Sequence, residues 1–144
     1  MNERCVDASV GVKCSVKGEA HREEARSLLK DSGAANIRLI APPLFVVEID
    51  SVIRRRVFDG RMSDEQARKA YSILDLAPVN IMDVPGLRQQ AREIAKRFNQ
   101  RFVYDATYAA LAELRNCEFR TADKMFYDAV KNGLAFVRYL PDYR

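Results

Sequence analysis

Four acidic residues stand where an acid needs explaining: Asp7 at the end of the apolar segment "RCVD", Glu48 in "PLFVVEIDSV", Asp105 in "FVYDATYAALAEL" and Asp123 in "FRTADKMF". Asp105 and Asp123 each sit at the start of an apolar helical pattern, where an aspartate serves as an N-cap and needs no other role. Glu48 resists so local an account. On a helical wheel Leu44 lies four residues before it and Val52 four after, with Phe45 and Ile49 alongside, so the acid falls inside an apolar stripe. Such a Glu either swings to solvent and an arginine, or it faces a cation, a hydrogen-bond donor or a metal. Carboxylates that converge repel one another and raise each other's pKa unless a divalent cation neutralises them. An oxygen-only donor set suits Mg²⁺ or Mn²⁺, which can activate water for attack on a phosphodiester.

The remaining inventory narrows the chemistry. A single histidine, His21, leaves no basis for a Ser/His or Cys/His pair. Three cysteines (Cys5, Cys14 and Cys117) are an odd number without C-x-x-C spacing, which argues against a disulfide framework and a zinc site and points to a reducing cytosol. With 144 residues, 48% hydrophobic and 31% charged, the chain reads as one ordinary globular domain. No apolar run approaches the roughly 20 residues that cross a bilayer, and no signal peptide is expected. The net charge of +4 is compatible with a polyanionic partner but does not demand one.

The elements that must position these acids alternate. "RCVD" reads as a short strand and "ASVGVKCSV" as a first helix. "HREEARSLLKDSG" reads as a second helix, with Ala25, Leu28 and Leu29 inward and Gly33 as its C-cap. "NIRLIAP" is a second strand. Pro42 and Pro43 then open the helix "PLFVVEIDSVIRRRVFDG", with Gly60 at its exit. Ser63 and Gln66 have the form of a capping box for a helix running to about Leu76. "APVNIMDV" is a third strand, and "PGLRQQAREIAKRFN" is amphipathic, with Leu87, Ala91, Ile94, Ala95 and Phe98 on one face. A helix from Asp105 turns Tyr108, Leu111 and Ala112 inward; "CEFRTA", "DKMFYDAVKN" and "AFVRYL" complete the series as strand, helix, strand.

Strands alternating with helices imply an α/β fold, a mostly parallel five-stranded sheet covered on both faces as a three-layer α/β/α sandwich. Ligands on such sheets bind beyond the carboxyl ends of the strands. Asp7 ends the first strand, Asp123 ends the fourth, and Asp105 opens the helix leading into the fourth, so the three acids share one rim.

"VDAS", "PLFVVEI", "VYDATYAALAE" and "FRTADKMFYDAV", taken in order, resemble the PIN-domain ribonucleases, in particular the VapC toxins of prokaryotic toxin–antitoxin pairs. The resemblance runs from Val6 to about Lys131. It implies Asp7, Glu48, Asp105 and Asp123 as catalytic acids and ligands of Mg²⁺ or Mn²⁺, with Thr121 as the hydroxyl of a Thr-x-Asp motif and Ser9 as the small residue after the first acid. It also implies cleavage of cellular RNA to 5′-phosphate and 3′-hydroxyl ends, a cytoplasmic homodimer, and a small antitoxin protein that occupies the acidic groove, with the helical hairpin of residues 43 to 76 as its docking place. One departure is "VKCSVKGE", which is more basic and less apolar than the segment usual after the first acid.

Blander readings stand beside these. Asp105 and Asp123 can be helix caps, Thr121 a strand-end hydroxyl, the Arg54–Arg56 run a solvated face, and Tyr108 simply core. Asp128 should face away from the cluster, His21 should be exposed, and Cys14 and Cys117 should be small buried hydrophobes. Other functions that fit the chain are RNA maturation or decay by a nuclease without an antitoxin, and a non-catalytic α/β interaction module. A phosphoryl-transfer or receiver domain fits worse, because "VDAS" lacks Asp-x-Asp and "AFVRYL" lacks the lysine a receiver needs.

Overall fold

The structure, a computed structural model, describes residues 2–143. Its elements are β1 (Glu3–Val6), α1 (Ala8–Ser15), α2 (Arg22–Ala34), β2 (Arg38–Ala41), α3 (Leu44–Phe58), α4 (Asp64–Leu76), β3 (Val79–Ile81), α5 (Leu87–Arg97), α6 (Tyr104–Leu114), β4 (Glu118–Thr121), α7 (Lys124–Val130) and β5 (Val137–Tyr139). A 3₁₀ turn over Leu140–Asp142 follows. All strand pairings are parallel, in the order β3-β2-β1-β4-β5.

Parallel strands this short are stable only when covered on both faces. Neighbouring residues of β1 show that they are. The Cys5 thiol reaches the backbone carbonyl of Tyr108 on α6, while Val6, pointing the other way, shares a small apolar cavity with Val10 and Gly11 of α1 and Leu29 of α2. On that second face α1 comes very close to α3. A Cβ added at Gly11 would lie 2.9 Å from Ile49 Cδ1 and 3.2 Å from Phe45 Cζ.

The helix ends follow from local chemistry. Ser63 and Gln66 form the capping box of α4 reciprocally, at 3.1 and 2.9 Å. Pro43 precedes the first residue of α3, and Gly60, with φ +75°, takes the left-handed position beyond its end. The exit of α2 differs from expectation. The helix runs through Gly33 to Ala34, and Asn36, at φ 57°, supplies the left-handed residue; asparagine tolerates that conformation well enough for the glycine not to be needed. Among the described residues no helix is long and apolar enough to cross a membrane.

The chain winds from β1 outward to β2 and β3, then returns to add β4 and β5 on the other side of β1. Strand order therefore reverses between β1 and β4, and a crevice opens beyond their carboxyl ends at such a switch point. Val6 pairs with Arg120 in register, so the residues that follow, Asp7 and Thr121, emerge side by side.

Candidate active site

Asp7, Glu48, Asp105 and Asp123 line one cavity of about 260 Å³ at this switch point. Asp7 follows β1 directly and caps α1, accepting from Val10 N at 3.2 Å. Its Oδ1 also accepts from the Ser9 hydroxyl, and its Oδ2 from Thr121 Oγ1 at 2.6 Å. Three donors thus occupy most of the roughly four acceptor positions of a carboxylate, leaving about one for a ligand. Thr121 is fully buried, and its hydroxyl in turn accepts from Asp123 N at 3.0 Å, so a single side chain ties the first acid to the last.

Asp123 caps α7, with Oδ1 accepting from Phe126 N at 3.0 Å, and it lines the cavity as well. Cap and site are one residue here. Asp105 is not a cap. The helix starts one residue earlier, at Tyr104, after a Val103 that offers no side-chain cap, and Asp105 stands in the first turn with its carboxylate turned to the cavity. Glu48 is half-buried between the core residues Phe45 and Ile49, and the group facing it is Tyr108, whose hydroxyl donates to Oε1 at 2.6 Å.

Tyr108 reads from sequence as core, with stacking on a base near the site as the alternative; neither reading gives its hydroxyl a partner among the acids. Its ring is core, 1% exposed and stacked on Phe119 with centroids 5.8 Å apart. Burial and the adjacent Glu48 push its phenol pKa up, which keeps the proton in place and makes it a permanent donor. The signal available in sequence was an apolar-stripe Glu that lacked a donor.

Burial first, then the charge of Asp123 and of the other acids, pushes the Asp105 carboxyl up to about 8. Asp7 and Glu48 are raised as well, chiefly by burial, although the Ser9, Thr121 and Tyr108 hydroxyls oppose the shift. Among the described residues none of the four acids is in an ion pair. The opposite end of the sheet is arranged the other way. There Glu3 is gripped by Arg115 and Arg38 and held down to about 2, the Arg115 hydrogen bonds being the largest cause.

Among the described residues no three His, Cys, Asp or Glu side chains form a ready-made ligand shell. The donor set nonetheless fits a hard divalent cation. It is all oxygen, its four acids are in no ion pair among the described residues, and Mg²⁺ typically binds through one or two carboxylates while keeping several waters.

The cavity rim carries Lys13, Arg55 and Arg56, the last paired with Glu19 at 3.0 Å. The arginine run thus divides, since Arg54 lies instead over the Phe58 ring. Asp128 is turned outward between Lys124 and Lys131, and His21 is exposed beside Glu24. Cys14 is buried, but Cys117 is only half-buried, because it precedes β4 at the edge of the core rather than inside it.

The PIN domain family model matches residues 4–132. VapC ribonuclease Mb0985 of Mycobacterium bovis and ribonuclease VapC9 of Mycobacterium tuberculosis are each 34% identical to the chain over 106 residues, 71% of this chain and 81% of theirs. Among solved structures, PAE2754 from Pyrobaculum aerophilum superposes with a TM-score of 0.69 at 18% identity, covering 97% of this chain and 92% of that one. VapC20 of Mycobacterium tuberculosis, described as a sarcin-ricin loop cleaving toxin, gives 0.63 at 21% identity over 94% and 98%. FitAcB from Neisseria gonorrhoeae gives 0.61 at 14% over 94% and 95%.

Proposed function

The chain belongs to the PIN-domain family, and on that premise we propose that it is a metal-dependent endoribonuclease, the toxin of a type II toxin–antitoxin pair, working as one nuclease domain. The observation that carries this reading is the contrast between the two ends of the sheet. An acid at the amino end is neutralised by arginines, whereas four acids at the carboxyl end share a cavity and, among the described residues, are in no ion pair. Structural acids are satisfied by cations, and acids left unpaired at a switch point are commonly functional.

Asp7, Glu48, Asp105 and Asp123 would hold Mg²⁺ or Mn²⁺. The ion supplies Lewis-acid activation of water and neutralises charge for phosphodiester hydrolysis. Thr121 and Ser9 fix the rotamer of Asp7, and Tyr108 fixes that of Glu48, so two ligands are pre-oriented before an ion arrives. Lys13, Arg55 and Arg56 set positive charge on the rim, where the phosphates of an RNA strand must pass. The 34% identical VapC ribonucleases support an RNA substrate; 5′-phosphate and 3′-hydroxyl products, a cognate antitoxin seated on the α3–α4 hairpin and a homodimer belong to the same proposal.

Incubation of the purified protein with RNA tests the reading. Cleavage that appears with Mn²⁺, disappears with EDTA and is lost in Asp7→Asn is the expected result. Equal fragmentation by the wild type and Asp7→Asn would sink it.

A further inference from the structure

A second cavity, of about 390 Å³, opens where the end of α1, the start of α2 and the α3–α4 turn meet, and it is lined by Lys17, Arg22, Arg61 and Lys69. No acid lines it among the described residues. Among the described residues Lys17, Arg22 and Arg61 are in no ion pair, and Lys69 makes only an exposed contact to Glu65 at 3.8 Å. Arg22 Nε is shielded from solvent with no hydrogen-bond partner among the described residues. A buried donor of that kind is an energetic debt that an anion on the cavity would settle.

The position of this cavity suggests which anion. Val12 and Lys13 line the acidic cavity, whereas Val16 and Lys17, one helical turn further along the same chain, line the basic one. One turn of helix is about 5 Å, a spacing within reach of successive phosphates of one strand. Glu19 and Arg56, paired at 3.0 Å, both line the acidic cavity and neither lines the basic one. We infer that the basic cavity is a phosphate subsite that holds the backbone of the RNA strand adjacent to the scissile bond. The inference rests on the ribonuclease reading and adds to it a second grip, on charge alone and independent of base identity.

Arg61 and Lys69 are both exposed, so neutralising them leaves the core intact, and unchanged melting of Arg61→Gln/Lys69→Gln verifies this. In EDTA, where nothing is cleaved, affinity is measured for a mixed-sequence single-stranded RNA of roughly 20 nucleotides and for one of about four. The double variant should bind the longer RNA about tenfold more weakly, with its log–log salt slope reduced by roughly 1.4, or ~0.7 for each lost phosphate contact, while affinity for the shorter RNA changes little. Equal affinity and equal salt slope for the longer RNA would overturn the subsite. So would an oligoglutamate peptide that binds the wild type and not the variant while RNA binding is unaltered, since the cavity would then serve an acidic protein. If the wild type still cleaves RNA in Mn²⁺ in either case, only the subsite has failed; no binding and no cleavage by the wild type would remove the ribonuclease reading itself.

Discussion

The hydroxyl of Tyr108 donates to Glu48 Oε1 at 2.6 Å, joining α6 to α3 across 60 residues of sequence. Because the ring is buried in the core while the hydroxyl reaches the cavity, the packing of the sheet's helices fixes one of the acids directly. Tyr108→Phe keeps the ring and removes the donor. Stability should fall by about 1 kcal/mol. Cleavage should need a higher Mn²⁺ concentration, with turnover at saturating Mn²⁺ less affected. A melting curve and a Mn²⁺ titration check this; loss of turnover without any change in Mn²⁺ dependence would show that Tyr108 does not act through Glu48.

Asp7→Asn tests the most enclosed acid. The amide still accepts from Ser9 and Val10, and the Thr121 hydroxyl can reverse its role toward it, so the fold is expected to persist. Since burial disfavours the Asp7 charge, the variant in EDTA should melt at or above the wild-type temperature at neutral pH. Cleavage should be abolished. Circular dichroism and an RNA gel read the two halves separately.

Cap and site can now be told apart for the two aspartates. Asp123→Ala removes the hydrogen bond to Phe126 N and should cost about 1 kcal/mol in any buffer, whereas Asp123→Asn keeps most of it. Asp105→Ala removes no cap and removes the cost of holding a buried acid protonated far above its ordinary pKa, so in EDTA at pH 7 it should melt above the wild type. Equal destabilisation by both alanines would contradict this assignment.

The pH dependence follows from Asp105. Its folded pKa, about 8, lies above the unfolded carboxylate range, so its contribution to stability is complete below the unfolded value and is lost as pH rises through about 8. In EDTA the melting temperature should therefore decline from about pH 5 to pH 8, and the decline should be shallower in Asp105→Asn. Glu3, held at about 2, works in the opposite direction, and its contribution is lost only as pH falls from 4.5 toward 2. A metal bound by Asp105, as proposed, would have to displace its proton, so apparent Mn²⁺ affinity should rise over the same interval in which the metal-free protein weakens. Calorimetry at several pH values follows both.

Much of this was legible in the chain because it is local. Ser63 and Gln66 lie three residues apart, and the strand–helix alternation carries the parallel sheet and with it the rim on which Asp7, Asp105 and Asp123 stand. The PIN resemblance carried Glu48 to the same cavity. What could not be read depends on distant packing. Periodicity places Tyr108 on the inward face of α6 but says nothing of where its hydroxyl ends. Nor does it distinguish Arg55 and Arg56, which reach the cavity, from Arg54, which lies on Phe58. Gly33 has the composition of a helix stop, yet the helix runs on to Ala34 and Asn36 takes the left-handed position, which the hydrogen bonding of the last turn decides and composition does not.

Gly11 sits in the middle of α1, where alanine would gain about 0.5–1 kcal/mol of helix propensity. The missing methyl is what lets Ile49 and Phe45 of α3 come within 3.2 Å of that position. Alanine there would recover the propensity but press on Ile49 Cδ1 and Phe45 Cζ, so those two side chains must turn aside in the face of α3 that carries Glu48. The glycine thus makes the closeness of α1 to α3, the helices that begin beside Asp7 and carry Glu48, a matter of a single methyl group.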